Sequence, residues 1–507
     1  MAFLEVKSPH GNKRVELDGD PVSIGRLPDN SLQIPDEGLS RNHAIIEAYG
    51  EGWRVRDLGS RNGTKVNGGR VAEARLRHGD VVRLGAVEIR FIDPREIDAP
   101  KRQTPDFAAI ADMQRDGAGF AGFATWLDFT PAHPDFFAFP DPASIIKLPW
   151  KPSVAWAPAD CVMDGSPIAQ APRVVLKKLI ETARSMGLRV KTGVEAEFFL
   201  LNADGAAISD VFDASEKPCY DQQALMRRYD IISEICDAML ALGWKPYQND
   251  HEDANGQFEM NWEFDDTLAT ADKHSFFKFM VKSIAEKHGL RATFMPKPFK
   301  SLTGNGCHCH ISVWDLEGRT NAFADDKAEF GLSGQGRNFL GGIIKHASAL
   351  AAVTNPTVNS YKRINAPRTQ SGATWSPNTV TWTGNNRTHM VRVPAPGRFE
   401  LRLADGAVNP YLLQAIVIAA GLEGMKTKAD PGPHLDIDMY KDGHLVKGAP
   451  RLPLNLLDAL RAYEGDGILQ KAMGEEFSAA YLKLKYAEWD AFSAQLTPWE
   501  HATTLDV

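Results

Sequence analysis

The chain has 507 residues, of which 43% are hydrophobic and 24% are charged. These globular values exclude disorder and fibrous repeats as dominant features, and at about 150 residues per domain the length allows roughly two to four domains. Lysine and arginine number 57 against 65 aspartates and glutamates, which gives a net charge of −8. That balance argues against a protein that coats nucleic acid or an anionic membrane through bulk charge.

Nothing in the sequence predicts a membrane span or export. The longest apolar helical stretch, residues 412–422, is shorter than the roughly 18 residues needed to cross a bilayer. The first residues lack a basic segment followed by an apolar run, and the five cysteines are too scattered for a disulfide framework. We therefore expect a cytoplasmic protein.

The N-terminal part has the pattern of an all-β sandwich. Short alternating segments, such as 44–49 and 81–92, are separated by glycine, aspartate, asparagine and proline. From 93 to 105 the alternation stops and proline and charged residues take over, which is typical of an exposed linker. We therefore predict a β domain over 1–95 and a linker over 96–105.

Polar residues that suit a phosphate lie in the turns of this β region. The turns carry the sequences GR at 25–26, SRNH at 40–43, SRNGT at 60–64 and NG at 67–68. A sandwich presents its loops together at one end, so the guanidinium, hydroxyl and amide groups of these turns would converge on an anion. Either Asn-Gly pair alone is more typical of a plain hairpin turn than of a phosphate site.

In this order the four turns resemble the forkhead-associated (FHA) domain, a family that binds phosphothreonine peptides. The resemblance covers residues 1 to about 95. It implies that Arg26 and Ser40 hold the phosphate, that Arg41 assists, and that Asn62 grips the peptide main chain. His43 would brace the loop, a structural role.

The rest of the chain alternates long helical patterns with strand-like runs, which predicts an α+β domain. The predicted helices cover 174–186, 222–242, 271–288, 410–425 and, with breaks, 454–495. The glycine-rich Walker loop is absent, so a nucleotide would have to bind through another architecture.

Acidic residues recur on strand-like spacing in this second part. Glu195 and Glu197 are two positions apart, so on a strand both point to the same face. The run 257–264 alternates polar and apolar residues and places Glu259 on its polar face. Neighbouring carboxylates of this kind require a cation between them.

Histidines, another acid and several arginines complete the pattern. In the CHCH sequence, His308 and His310 share one strand face and the two cysteines share the other, so the four cannot wrap one zinc ion. Oxygen-rich ligands with an imidazole suit Mg²⁺ or Mn²⁺ instead. A further acid, Glu400, and the arginines between 363 and 402 would complement phosphates and carboxylates. Any single pair is more typical of a solvated strand face, but four such faces favour a shared acidic cavity.

Seven motifs follow one another in the order VEAEFFL, HEDANGQFE, FMPKPF, GNGCHCHIS, NPTVNSYKR, NRTHMVRVP and FELRLADGAVNPY. In this order they resemble glutamine synthetases over about residues 106–507, and more narrowly the type III-like group that includes glutamate-methylamine ligases. The resemblance implies a truncated β-grasp domain over 106–155 and a catalytic α+β domain over 156–507. It also implies ATP as co-substrate and two sites for Mg²⁺ or Mn²⁺.

The resemblance further implies roles for individual residues. The ligands of the first metal would be Glu197, Glu252 and Glu259, and those of the second Glu195, His308 and Glu400. Glutamate would be held by Gly304, Arg363 and Arg402, and ATP by His310, Ser312, Arg392 and Arg398. The catalytic residues would be Asp116, which helps to deprotonate the amine in a neighbouring subunit's site, and Arg387, which meets the charge on the transferring phosphoryl group.

Two features depart from the family pattern. The β-grasp segment begins abruptly near Phe107, so the strands that normally come first are missing. In the flap after Arg363, ammonia-using members place a glutamate where this chain has Thr369.

We therefore expect a ligase that joins the γ-carboxylate of glutamate to ammonia or a small alkylamine such as methylamine, through γ-glutamyl phosphate. The partners would be glutamate, ATP, the amine, a phosphothreonine-containing protein and further copies of the chain in a homo-oligomer. One alternative is a phosphothreonine-directed scaffold with an inactive synthetase body. Another is a ligase of the same fold that acts on a different acid. Five acids and a histidine facing one cavity favour an active enzyme.

Overall fold

The computed structural model describes residues 2–8, 11–49, 52–76, 78–93, 113, 115–122 and 127–506. The chain divides into two compact units, Met1–Pro105 and Asp106–Val507. The predicted linker and the predicted start of the β-grasp region near Phe107 lie outside the described residues.

The first unit consists of two sheets that share one apolar core. Its strands are β1 (Ala2–Ser8), β2 (Gly11–Leu17), β3 (Val22–Gly25), β4 (Leu32–Gln33), β5 (Ala44–Tyr49), β6 (Gly52–Asp57), β7 (Thr64–Val66), β8 (Gly69–Val71), β9 (Glu73–Leu76), β10 (Val81–Leu84) and β11 (Val87–Ile92). One sheet has the order β2-β1-β11-β10-β7-β8 and the other β4-β3-β5-β6-β9. Alternate residues such as Ile46, Val55 and Ile89 are fully buried between them, as a period of two predicts for a sandwich.

The second unit includes a small sheet with the order β12-β13-β16-β17. Its strands are β12 (Ala118–Phe120), β13 (Phe136–Pro140), β16 (Ala159–Met163) and β17 (Ser166–Pro167), and β14 (Ile146–Lys147) pairs with β15 (Ala155–Trp156). The sheet continues past the boundary predicted at residue 155, because β16 pairs with β13. We therefore propose that this small domain ends near Pro167.

The main sheet of the second unit has nine strands. They are β18 (Leu188–Leu201), β19 (Pro246–His251), β20 (Gln257–Trp262), β21 (Asp265–Asp266), β22 (Arg291–Thr293), β23 (Cys307–Asp315), β24 (Trp382–Thr383), β25 (Val391–Ala395) and β26 (Arg398–Leu401). Seven follow the order β19-β20-β18-β23-β26-β25-β24, and β21 and β22 pair with β18. The cysteines of the CHCH sequence, Cys307 and Cys309, are fully buried in the core, as their strand face predicts.

The second unit has twelve α-helices among its described residues, some of which pack against this sheet. They are α1 (Pro172–Ser185), α2 (Gln222–Arg227), α3 (Tyr229–Ala241), α4 (Thr267–Lys287), α5 (Gly334–Lys345), α6 (Ala347–Thr354), α7 (Ser360–Ile364), α8 (Pro410–Thr427), α9 (Leu456–Glu464), α10 (Gly467–Met473), α11 (Glu475–Ser493) and α12 (Pro498–Thr504). The helix predicted over 222–242 is divided at Arg228, whose backbone leaves helical geometry and whose Nε donates to the Ser209 hydroxyl at 2.9 Å. Across the described ranges no helix is long and apolar enough to cross a membrane.

A buried ion cluster joins the small sheet to the main body. Arg173, near the start of α1, is 4% exposed and donates to three aspartates. The distances from its guanidinium are 2.6 Å to Asp141, 2.8 Å to Asp160 in β16 and 3.1 Å to Asp272 in α4. Because each carboxylate comes from a different segment, this one cation fixes the position of the small sheet relative to α4.

Candidate active site

The central strands of the main sheet bring the predicted acids and histidines together. In register, Glu197 lies opposite Glu259 and Glu195 lies opposite His308. The next strand places Glu400 opposite His310. Pairing across four strands therefore gathers on one surface residues that are far apart in the sequence.

Three glutamates in this group, Glu197, Glu252 and Glu259, are close enough to influence one another's protonation. Burial and the charges of Glu197 and Asp250 raise the pKa of Glu252 to about 8. Burial, together with Glu195 and the other two members, raises the pKa of Glu259 well above its ordinary range. Such shifts are expected where buried carboxylates lie close to one another.

His308 lies between the other acids of the group. Its Nδ1 is 3.4 Å from Glu195 Oε2 and 3.6 Å from Glu400 Oε1. Its Nε2 is buried, makes no hydrogen bond within the described part of the chain, and lies 3.9 Å from Glu197 Oε1. A buried imidazole nitrogen without a hydrogen-bond partner, next to carboxylates, is suited to bind a metal ion.

The residues present fit divalent cations. Three sets of possible ligand atoms lie within 4.8 Å of one another: Glu195, Glu259 and His308; Glu195, His310 and Glu400; and Asp250, Glu252 and Glu259. Carboxylate oxygens with one imidazole are the donors that Mg²⁺ or Mn²⁺ accepts. The chemistry of the donors therefore supports the metal-binding hypothesis.

The geometry groups the predicted ligands differently from the sequence. Asp250, which the sequence did not single out, joins one set because β19 places it opposite Glu259. Glu197 belongs to none of the three sets found among the described residues, although it was predicted as a ligand. Its Oε2 instead accepts hydrogen bonds from Gln257 Nε2 at 2.9 Å and from the Gly306 amide at 2.7 Å.

Buried arginines surround the cluster. Glu400 is fully buried and accepts a hydrogen bond from Arg402 Nη1 at 2.5 Å. It also forms an ion pair with Arg392, whose Nη1 lies 2.9 Å from Glu400 Oε2. Arg363 is 2% exposed and donates from Nη1 to the Leu403 carbonyl at 3.1 Å. The Nε atoms of all three arginines are buried without partners among the described residues, so donors remain for an anionic ligand.

A glycine loop leaves space beside Arg363. A side chain at Gly306 would lie 2.8 Å from Arg363 Nη2 and from His308 Nε2, and 2.9 Å from Glu197 Oε1. The carbonyl of Gly304 accepts from Gln257 Nε2 at 3.3 Å, which fixes the loop. Predicted glutamate-binding and metal-binding residues therefore adjoin one small gap.

A cavity of about 430 Å³ adjoins the histidine side of the cluster. Three of the four residues predicted for ATP line it, namely His310, Ser312 and Arg398, and Arg398 Nη1 donates to His310 Nδ1 at 2.6 Å. Arg392 is outside the lining and binds Glu400.

The sequence did not identify the aromatic walls of this cavity. Phe264 and Trp314 line it, with Lys191 Nζ 4.5 Å from the centre of the Trp314 ring and 5.9 Å from that of Phe264. The alternating pattern had placed Phe264 on the core face, but β20 ends at Trp262 and Phe264 is 54% exposed. Only the end of the strand, which the pattern does not show, puts this ring in the cavity.

The two residues predicted as catalytic are both exposed. Arg387 lies in the turn between β24 and β25. Asp116 accepts hydrogen bonds from Arg115 at 2.9 and 2.7 Å, and among the described residues it contacts this neighbour rather than any acid of the cluster. A single chain therefore does not bring Asp116 to the site.

In the first unit, the loops predicted to bind phosphate are linked to one another. The Arg26 amide donates to the Ser40 carbonyl at 3.1 Å, and the Ser40 hydroxyl accepts from the Arg61 amide at 2.9 Å. Buried His43 accepts from the Ser40 amide through Nδ1 at 3.2 Å, and its Nε2 faces the Gly63 carbonyl at 3.4 Å. The imidazole thus braces two loops, as expected for His43.

Three predicted phosphopeptide contacts lie at the surface. The side chains of Arg26 and Arg41 are exposed. Asn62 is also exposed, and its amide group donates to the Gly38 carbonyl at 2.8 Å. The loops therefore present two guanidinium groups to solvent at one end of the sandwich.

Sequence comparison decides the family. Residues 169–504 match the family model for the catalytic domain of glutamine synthetase. The chain belongs to the glutamine synthetase family. It is therefore an ATP-dependent ligase that forms carbon–nitrogen bonds, which confirms the predicted enzyme class. Residues 22–85 match the FHA domain model, which confirms an FHA domain ahead of the glutamine synthetase region.

Individual relatives of this glutamine synthetase family member carry different names. A glutamine synthetase of Rhizobium meliloti (strain 1021) is 78% identical over 79% of this chain and 92% of its own length. A glutamate–methylamine ligase of Methyloversatilis universalis is 41% identical over 77% of this chain and 90% of its own length. A solved GmaS complex with ADP is 59% identical, with a TM-score of 0.75, and covers 84% of this chain and 95% of the solved one. The family is thus shown, and the amine is a separate question.

Proposed function

We propose that this glutamine synthetase family member joins glutamate to a small alkylamine such as methylamine, through γ-glutamyl phosphate. The observation that carries the proposal is the convergence of five glutamates and His308 beside buried arginines on one sheet surface. Mg²⁺ or Mn²⁺ bound by Glu195, Glu197, Glu252, Glu259, His308 and Glu400 would neutralise the nucleotide phosphates and the substrate carboxylate.

The chain's own residues have the chemistry for the remaining tasks. Gly304, Arg363 and Arg402 would hold glutamate, while His310, Ser312, Arg392 and Arg398 would serve ATP. A γ-carboxylate oxygen attacks the γ-phosphorus of ATP and ADP leaves, with Arg387 opposing the charge on the transferring group. The neutral amine then attacks the carbonyl carbon, phosphate leaves, and Asp116 is the proposed acceptor of the amine proton.

Phosphate release with ATP, glutamate and a panel of amines tests this function. We expect release that requires ATP, glutamate and an amine together, with formation of the γ-glutamyl amide. If no amine supports phosphate release, the proposed reaction is wrong, and the result favours the alternative of a phosphothreonine-directed scaffold with an inactive synthetase body.

Thr369 supports the preference for an alkylamine. Its hydroxyl is hydrogen-bonded to the Ala373 carbonyl and lies 3.1 Å from the Ser371 hydroxyl, so position 369 offers no carboxylate to an ammonium ion. Without a carboxylate contact, binding of an ammonium ion is weaker by about 1.5–3 kcal/mol. An alkylamine recovers about 0.8 kcal/mol of this by burying its methyl group.

We therefore expect Thr369→Glu to shift kcat/KM toward ammonia by about tenfold or more relative to methylamine. The measurement is kcat/KM for both amines at one pH, each corrected to its free-base concentration. A wild-type preference for ammonia, or a ratio that the substitution leaves unchanged, would contradict this amine assignment.

We propose that the FHA domain binds a phosphothreonine-containing protein through Arg26, Ser40, Arg41 and Asn62. Arg26→Ala in the full chain should weaken binding of a phosphothreonine peptide by about 1.5–3 kcal/mol, or roughly ten- to a hundredfold. Titration calorimetry with the phosphorylated and unphosphorylated peptides measures the effect. Equal binding of the two peptides would refute the assignment.

We also propose that the enzyme is a homo-oligomer. Asp116 is exposed and contacts Arg115, so it would serve the amine site of a neighbouring copy. Asp116→Asn should therefore lower activity, while mixtures with an Arg387→Ala variant should recover part of it because each copy supplies the other's missing residue. Light scattering gives the mass, and a fully active monomer would contradict the proposal.

A further inference from the structure

The flap, defined as residues 365–375, is fastened to the body at two neighbouring points. The Gln370 amide donates to the Ser301 carbonyl at 2.9 Å. The Ser371 hydroxyl donates to Asp253 Oδ2 at 2.5 Å. Thr369 is 8% exposed, and its hydroxyl lies 3.1 Å from that of Ser371. The flap thus reaches a carboxylate through Ser371 rather than carrying one itself.

Asp253 contacts two loops. It is 7% exposed, and the same oxygen, Oδ2, also accepts a hydrogen bond from the Thr303 hydroxyl. Thr303 immediately precedes Gly304, where glutamate is proposed to bind. One buried carboxyl group therefore contacts both the flap and the glycine loop.

The position of Asp253 in the chain connects these contacts to the acidic cluster. It follows Glu252 directly, in the tight loop between β19 and β20. The Asp253 amide donates to Glu252 Oε2 at 3.2 Å. Ser371 of the flap thus contacts a residue directly next to a proposed metal ligand.

We propose that Asp253 is a positioning residue that holds the flap closed through Ser371 and thereby determines affinity for the amine. The inference rests on the proposed function, since it assigns the flap to the amine subsite. In this chain the fixed geometry of the flap replaces the charge that a glutamate at position 369 would supply. Asp253 acts through Ser371 and need not touch the amine.

The test compares variants of Ser371 in the full-length enzyme with methylamine as the amine. Ser371→Ala should raise KM for methylamine about tenfold with little change in kcat or in KM for ATP, because only the flap fastening is lost. Ser371→Thr keeps a hydroxyl and should restore most of the affinity. Gln370→Ala removes the adjacent exposed side chain but keeps the backbone hydrogen bond, so it is the matched control and should behave like wild type.

A double-mutant cycle separates this fastening from general damage. In an Asp253→Ala background, which removes the acceptor, Ser371→Ala should add little further increase in KM, because the two residues share one interaction. Trypsin should also cleave more readily after exposed Arg368 in Ser371→Ala, at an unchanged melting temperature. The inference is overturned if KM in Ser371→Ala equals that in Gln370→Ala, or if the two substitutions act additively.

These outcomes are distinct from failure of the proposed function. If wild type forms no amide with any amine, the proposed reaction fails, and cleavage after Arg368 still reports whether Ser371 fastens the flap. If wild type is active and Ser371→Ala matches the control, the positioning role alone is wrong.

Discussion

Glu259→Ala should abolish amide formation, lowering activity by more than about a thousandfold. The reason is that Glu259 belongs to two of the three ligand sets, so its loss affects both proposed metal sites. His308→Ala should have a similar effect, because its unpartnered Nε2 and its Nδ1 both face carboxylates. The measurement is phosphate release with saturating glutamate, ATP and methylamine.

The Glu259→Ala variant should be at least as stable as wild type when no metal is present. Because the folded-state pKa of Glu259 is raised, its ionisation opposes folding at any pH above the ordinary carboxyl pKa, near about 4. Removing the group therefore raises or preserves the melting temperature at pH 7, and the gain disappears as the pH falls below that value. Stabilisation by added Mg²⁺ or Mn²⁺ should shrink.

A matched control is Glu317→Ala, which removes an exposed acid from the turn after β23. It should change neither activity nor metal stabilisation. If Glu259→Ala and His308→Ala kept the full wild-type stabilisation by metal, the ligand assignment would be wrong.

Arg173→Met should destabilise the folded protein by about 3–5 kcal/mol at pH 7. The substitution keeps much of the side-chain volume but leaves Asp141, Asp160 and Asp272 without their shared cation. Asp272 is 4% exposed, so its charge cannot be solvated by water. Urea unfolding followed by tryptophan fluorescence measures the loss.

The pH dependence has a definite sign. Burial tends to raise the pKa of Asp141, but the Arg173 guanidinium, with help from the Ala143 amide and Lys177, holds that pKa below its ordinary range. The stabilisation is therefore complete above about pH 4 and is lost as the pH falls through the lowered pKa, so the difference between Arg173→Met and wild type should shrink there. Arg184→Met, an exposed arginine 3.7 Å from Glu181, should change stability by less than about 0.5 kcal/mol. If Arg173→Met lost no more stability than Arg184→Met, the buried ion cluster would not hold the small sheet in place.

Several features of the site follow from sequence pattern alone. The spacing of Glu195 and Glu197, and the order of the CHCH residues, predict which side chains share a strand face, because side chains alternate along any strand. The order of the turn motifs likewise predicts the FHA domain, since each turn requires particular residues. The family assignment also follows from local sequence, as the match over residues 169–504 confirms.

Other features depend on how distant segments pair. Asp250 becomes a possible ligand only because β19 lies in register with β20, and Phe264 reaches the cavity only because β20 ends two residues earlier. No sequence pattern joins Ser371 to Asp253, since a hydrogen bond between two loops requires both backbones to be in place.

Sequence by itself therefore determined the family, the FHA domain and the strand faces that carry the acids, because these depend on residue type and local periodicity. The tertiary structure decided the raised pKa values of Glu252 and Glu259, the shared cation at Arg173 and the fastening of the flap. These depend on burial and on distances of a few ångströms between segments far apart in the chain. Desolvation and Coulomb energies vary steeply over such distances, and the chain order does not encode them directly.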